Sequence, residues 1–145
     1  AKGLVKEEEY MAWYMKNYSK QRGKYPPVRD FMASDKLVSL VREAGGLFYQ
    51  AHPFRDAMQM VNPSLLDGIE VFNGNPSQDS RNDIARIWAE RFGLIGTSGS
   101  DYHRTVEGAF AGGILTDEPI TSNEQLLEIL RSGNFEMIKD NDKPQ

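Results

Sequence analysis

From Gly46 onward, short apolar runs alternate with amphipathic stretches, and this alternation predicts repeated βα units. Five strands are expected: Leu47–Ala51, Gly68–Asn73, Gly93–Ser98, Phe110–Thr116 and Phe135–Lys139. Each is bounded by Gly, Pro, Asn or Asp, the residues that end strands and open turns. Their near-continuous apolar character suits parallel strands covered on both faces. In Asp35–Ala44 the apolar Leu37, Val38, Leu40 and Val41 recur at helical spacing, with Ser34 as the N-cap and Gly45–Gly46 as a left-handed stop. Gln78–Phe92 places Ile84, Ile87, Trp88 and Phe92 on one face for packing against a sheet and ends at Gly93. Thr121-Ser-Asn-Glu124 reads as a capping box that opens a helix through Leu126, Leu127 and Leu130 to Gly133.

Residues 1–33 differ in character. A helix is expected over Val5–Arg22, charged at its start and then crowded with Tyr10, Met11, Trp13, Tyr14, Met15 and Tyr18, before Pro26–Pro27 breaks the pattern as a linker. That aromatic and methionine stripe reads as core packing rather than a cofactor box. The main domain is expected over residues 34–139, and residues 140–145 form a polar, flexible tail.

Composition narrows the chemistry. At 145 residues and 39% hydrophobic content the chain can bury one core. The net charge of −4 argues against a nucleic-acid surface across the whole domain and leaves a local basic patch open. There is no cysteine, so a disulfide, a thiol nucleophile and any thiolate metal site are all excluded within these residues. A metal must be held by His, Asp or Glu. No run approaches the roughly 20 apolar residues of a membrane span, so no membrane partner is expected and the expected location is cytoplasmic.

The chain contains two histidines, and each directly follows an expected strand: His52 in Tyr49-Gln-Ala-His-Pro-Phe-Arg55, and His103 in Ser98-Gly-Ser-Asp-Tyr-His-Arg104. In parallel α/β sheets, side chains at the C-terminal strand ends converge on the ligand site. Asp101 and His103 are two apart, so on extended backbone both project to one side while Tyr102 points away. His52, Asp101 and His103 are therefore the candidate metal ligands. Arg55 follows His52 closely enough to clamp a phosphate oxygen, and Asn73 ends a strand at the same rim, where it could orient water or substrate. Glu70 shares a face with Phe72 by alternation and reads as an interior carboxylate rather than a ligand. Arg104 and Glu107 read as solvent-exposed loop residues. Gly96-Thr-Ser-Gly-Ser100 lacks the lysine and spacing of a phosphate-binding P-loop.

The run Glu43-Ala-Gly-Gly-Leu-Phe-Tyr-Gln-Ala-His-Pro-Phe-Arg55 resembles a segment of the PHP (polymerase and histidinol phosphatase) family, in which a Gly-Gly turn leads into a strand ending in a metal-binding histidine. Leu66-Asp-Gly-Ile-Glu-Val-Phe-Asn73 is similar to the next strand of that family, and Thr97-Ser-Gly-Ser-Asp-Tyr-His103 to its closing Asp and His motif. The resemblance spans about residues 34–138. It implies an α/β fold, here the C-terminal part of a distorted (β/α)7 PHP-type barrel with parallel strands and flanking helices. It further implies a phosphoesterase with a cluster of about two or three divalent ions, zinc, manganese or iron, and metal-activated water as nucleophile. Asp101 would then be catalytic as well as a ligand, with Arg55 and Asn73 assisting. The family's opening His-x-His motif has no counterpart here, which leads to the expectation that the chain is a fragment lacking an N-terminal half. The implied partners are a phosphorylated small molecule or nucleotide, and either self-association or the missing half. Two alternatives stand beside this: a non-catalytic structural or assembly module, and a non-haem iron oxygenase built on a two-His, one-carboxylate triad. The βα alternation disfavours the second, because that triad is usually mounted on an all-β scaffold.

Overall fold

The computed structural model describes residues 34–103 and 111–139. The expected helix over Val5–Arg22, the Pro26–Pro27 linker, Arg104, Glu107 and the C-terminal tail lie outside the described residues. The chain divides into two compact units, residues 1–46 and 47–145.

In the first unit, α1 spans Ser34–Glu43. Ser34 is the first helical residue rather than its cap. The expected stop is realised: Gly45 has φ +78°, and the N–H of Gly46 donates to Val41 O at 2.9 Å.

The second unit carries β1 (Tyr49–Gln50), β2 (Gly68–Asn73), α2 (Asn82–Phe92), β3 (Ile95–Gly99), β4 (Gly112–Leu115), α3 (Asn123–Ser132) and β5 (Glu136–Lys139). The first three strands form one sheet in the order β1-β2-β3, parallel throughout, as the apolar runs predict. The expected strand at 47–51 is reduced to two paired residues. The last two strands do not extend this parallel sheet: β4 and β5 pair antiparallel with each other. Parallel neighbours need a crossover connection, usually a helix, but a helix is equally compatible with antiparallel ones, so βα alternation alone does not fix strand direction. Among the described residues no helix is long and apolar enough to cross a membrane.

The core lies between β2 and α2. Ile69, fully buried, and Val71 alternate onto one face of β2 and pack with Leu66 and Ala89, with Phe48, Trp88, Leu94 and Met137 around them. The helix presents its small residues to the sheet: Ala85 and Ala89 are buried, whereas Ile84, Ile87 and Phe92 are exposed. Of the expected face only Trp88 packs against the core. A central strand already carrying Ile and Val leaves room for alanine on the opposing helix, and the larger side chains turn outward. At the other end, α3 is capped by Ser122, whose hydroxyl accepts the Gln125 N–H at 3.1 Å, while Gln125 Oε1 accepts the Thr121 N–H at 2.8 Å. The capping box is thus Ser122 to Gln125, one residue beyond the expected Thr121 to Glu124.

Two features set the geometry of the strand ends. The β2–β3 register runs Glu70↔Thr97 and then Phe72↔Ser98, so β2 carries one extra residue at a bulge. The antiparallel pair of β4 and β5 joins β3 through a side chain. Ser98 Oγ lies 2.6 Å from Gly113 O and 2.7 Å from Ile138 O, and accepts the Gly113 N–H at 2.9 Å. Beside this join a Cβ on Gly112 would stand 2.2 Å from the Gly99 carbonyl carbon, whereas one on Gly113 meets nothing nearer than 3.8 Å. Gly112→Ala is therefore expected to lower the unfolding temperature by several degrees, equivalent to roughly 2 kcal/mol or more, and Gly113→Ala to stay within about 0.5 kcal/mol. Thermal unfolding followed by circular dichroism checks the contrast; equal effects would refute the close backbone approach.

Candidate functional site

Three parallel strand ends meet at one ion pair. The loop leaving β1 carries His52, Pro53 and Arg55; β2 ends in Asn73 and continues to Asn75 and Ser80; β3 runs through Gly99 to Asp101 and His103. Arg55 Nη2 donates to Asp101 Oδ2 at 2.7 Å, to Asn73 Oδ1 at 3.0 Å and to Ser80 Oγ at 3.0 Å. Both side chains of the pair are 14% exposed, so the charges are largely withdrawn from water. Asn75 Nδ2 adds a bond to Asp101 Oδ2 at 3.2 Å, and His103 Nε2 lies 3.2 Å from Asp101 Oδ1. Burial pushes the Asp101 carboxyl up, but the bonds from Arg55 and Asn75 and the guanidinium charge outweigh it and hold the group below the ordinary carboxylate value.

The loops are fastened before they reach the pair. Buried Gln50 binds both sides of the far end of the β1 loop, donating to Gln59 O at 2.8 Å and accepting the Val61 N–H at 3.1 Å. Arg81 donates to Phe54 O at 2.7 Å and pairs with Asp56, tying that loop to the one after β2. Asn73 and Asn82 clasp each other's region: Asn82 Oδ1 accepts the Asn73 N–H at 3.0 Å, and Asn82 Nδ2 donates to Asn73 O at 3.2 Å. A depression of about 320 Å³ lined by Asn73, Asn75, Ser80 and Arg81 adjoins the pair, since three of these residues touch Arg55 or Asp101.

The expected site residues are brought together in part. Asp101, Arg55 and Asn73 form one connected network, and His103 stands at its exposed rim, 76% exposed. Asp101 and His103 do not meet along extended backbone as expected. Asp101 is left-handed, φ +47°, so a turn rather than strand alternation brings them together. His52 is also left-handed, φ +29°, and its Nδ1 is buried with no hydrogen-bond partner among the described residues. An orphaned imidazole nitrogen and a carboxylate–imidazole pair are suitable donors for a divalent ion. As a set they are incomplete: among the described residues no three His, Asp or Glu side chains gather within reach of one ion. Asp101 Oδ2, expected to face a metal, faces Arg55.

Asn75 and Ser80 escaped the sequence reading. The signal for Asn75 was the turn chemistry of Asn73-Gly-Asn-Pro76, where Asn73 Oδ1 accepts the Asn75 N–H at 3.1 Å and Asn75 Oδ1 accepts the Ser77 N–H at 2.9 Å.

No protein-family model matches the chain, and no solved structure matches it. The chain is similar to a 3',5'-nucleoside bisphosphate phosphatase of Chromobacterium violaceum, 38% identical over 94 residues, which cover 59% of this chain and 33% of the relative. The match thus spans about a third of that relative's length.

The ion pair generates two expectations. Arg55→Met leaves Asp101 buried without its cation and should destabilise the fold by about 3 kcal/mol in urea unfolding, because breaking one side of a buried pair strands the other charge. For pH, the folded value of Asp101 lies below its unfolded one, so the stability it supplies is complete above about pH 5 and is lost as the pH falls through the folded value. Asp101→Asn should therefore flatten the acid limb of the stability curve; an unchanged acid limb would show that the pair carries no linkage.

Proposed function

We propose that this chain forms part of a phosphoesterase site, with Arg55 as the cation that meets a phosphoryl group. The observation that carries the reading is the buried guanidinium at the C-terminal ends of three parallel strands. It is braced by Asp101, Asn73 and Ser80 and keeps a buried Nε–H without a partner among the described residues. Similarity to a bisphosphate phosphatase supports the same reaction class. The PHP-type barrel remains the architecture this reading favours, and a phosphorylated small molecule or nucleotide its substrate class.

Each side chain then has a task. A guanidinium binds phosphate oxygens through paired N–H groups, and fixing it beforehand lowers the ordering cost of binding. Asp101 fixes Arg55 through Oδ2 and faces the His103 imidazole through Oδ1. The exposed imidazole is placed to hold or pass a proton at the rim while the carboxylate orients it. Asn75 and Ser80 line the adjoining depression and offer neutral hydrogen bonds to the remainder of the substrate. A divalent ion such as zinc, manganese or iron, when bound, supplies polarisation of the phosphoryl group and an activated water. His52, Asp101 and His103 would be this chain's share of its donors, a set that does not gather around one ion among the described residues.

Phosphate release from a nucleoside 3',5'-bisphosphate and from a generic phosphomonoester, with added manganese or zinc, tests the reading. Asp101→Asn should lower turnover by about 100-fold or more, and Arg55→Lys by roughly tenfold, through a raised KM. Protein that binds manganese or zinc yet hydrolyses neither substrate would overturn it.

A further inference from the structure

One carboxylate beside the site has no task in that reading. Glu70 sits at the β2 bulge, and its Oε2 accepts the His52 backbone N–H at 2.8 Å and Asn73 Nδ2 at 3.0 Å. Its Oε1 lies over the bare face of β3: a Cβ on Gly99 would stand 2.4 Å from it. Among the described residues no Lys, Arg or His side chain forms an ion pair with it. A half-buried carboxylate whose hydrogen-bond partners among the described residues are neutral N–H groups is poorly explained as a packing residue.

We propose that Glu70 is a positioning residue that sets the aim of Arg55 by two routes. The first runs through Asn73. An amide side chain can be flipped, with oxygen and nitrogen exchanged, at little steric cost, so its neighbours decide its polarity. Here an acceptor-only carboxylate meets Nδ2, and a donor-only guanidinium meets Oδ1 at 3.0 Å, with the Asn75 N–H on the same oxygen. The flipped amide would set NH₂ against guanidinium and oxygen against carboxylate, two repulsive contacts. Glu70 is the acceptor that Nδ2 finds, and the Asn73 oxygen it thereby commits is one of three acceptors bracing Arg55 Nη2.

The second route runs through the backbone. His52 is held at φ +29°, a conformation that L residues rarely adopt, and its N–H is tied to Glu70. The carbonyl of the same residue accepts the Arg55 N–H at 3.2 Å, closing the turn that delivers the guanidinium. One carboxylate oxygen therefore fixes both the turn that carries Arg55 and the amide that receives it. The bulge makes this possible. In a regular strand, residues 70 and 73 face opposite sides, and the extra residue brings Asn73 round to Glu70.

The functional consequence rests on Arg55 meeting phosphate; the positioning itself does not, and the two are read separately. Glu70→Leu keeps volume and removes the acceptor, while Glu70→Gln keeps a carbonyl oxygen for both donors. Nuclear magnetic resonance of the Arg55 guanidinium N–H groups reports whether the side chain is held, and titration with inorganic phosphate reports the consequence. In Glu70→Leu the guanidinium should pass to fast rotation and the phosphate Kd should rise about tenfold, whereas Glu70→Gln should stay within about threefold of the parent. Gly99→Ala, which displaces an intact carboxylate, should reproduce the Leu variant and decides the matter if that variant does not fold. Arg55 signals unchanged in Glu70→Leu, or Gln as damaging as Leu, would overturn the proposal. A parent protein that holds Arg55 rigid yet does not bind phosphate would instead refute the phosphoesterase reading.

Discussion

A guanidinium and a carboxylate withdrawn from water each lose several kcal/mol of hydration, and their mutual attraction offsets this only when the remaining hydrogen-bonding groups are also satisfied. The Arg55–Asp101 pair imposes that requirement on everything around it. The end of β2, the loop after it and the loop after β3 must deliver oxygen acceptors to one nitrogen, through Asn73, Ser80 and Asp101. The fastening of the loops by Gln50, Arg81 and Asn82 follows from the same demand. A guanidinium that wandered would leave Asp101 buried and uncompensated.

Local signals were legible where one residue type dictates a conformation. The left-handed glycines that end α1, α2 and α3 stand where the sequence put helix stops, because few other residues tolerate positive φ there. Signals that depend on a partner were not. Apolar periodicity in Gln78–Phe92 located a helix but found only Trp88 of its packed face, since Ala85 and Ala89 carry almost no hydrophobic weight and yet are buried against the sheet. The direction of β4 and β5 was likewise beyond reach, being decided by pairing. The cap of α3 slipped by one residue because Thr121 and Ser122 are both competent caps and both have a Glu or Gln three residues on.

At the candidate site, residue type at strand ends anticipated that Arg55, Asn73, Asp101 and His103 come together, but not the backbone that assembles them. His52, Arg55, Asn73, Asp101 and His103 were all legible as polar residues at one rim. What alternation could not supply was the bulge in β2, which turns Asn73 to the face of Glu70, or the left-handed backbone at His52 and Asp101, which replaces the extended geometry assumed for the Asp-x-His pair. Both are departures from regular strand, and both occur within a few residues of the ion pair. Irregular backbone is what lets side chains from parallel strands, which would otherwise project in fixed alternation, converge on one group.

The run Gly96-Thr-Ser-Gly-Ser100 shows the same logic from the opposite side. As a motif it has neither the lysine nor the spacing of a phosphate loop. Read in the structure, its small side chains are demanded by crowding on every side. A Cβ at Gly96 would fall 2.9 Å from Val71 Cγ2, one at Gly99 would meet the Glu70 carboxylate, and the carbonyls of Gly113 and Ile138 both come within 2.7 Å of Ser98 Oγ. β3 is therefore a slender strand wedged between a carboxylate-bearing neighbour and the antiparallel β4–β5 pair. Its bareness allows Glu70 to lie across it toward His52 and Asn73. A larger residue at Gly99 would remove no polar group from the network, yet it would displace the carboxylate that ties two of the three strand ends together. Steric emptiness at Gly99 is thus as much a part of the site as the charges at Arg55 and Asp101.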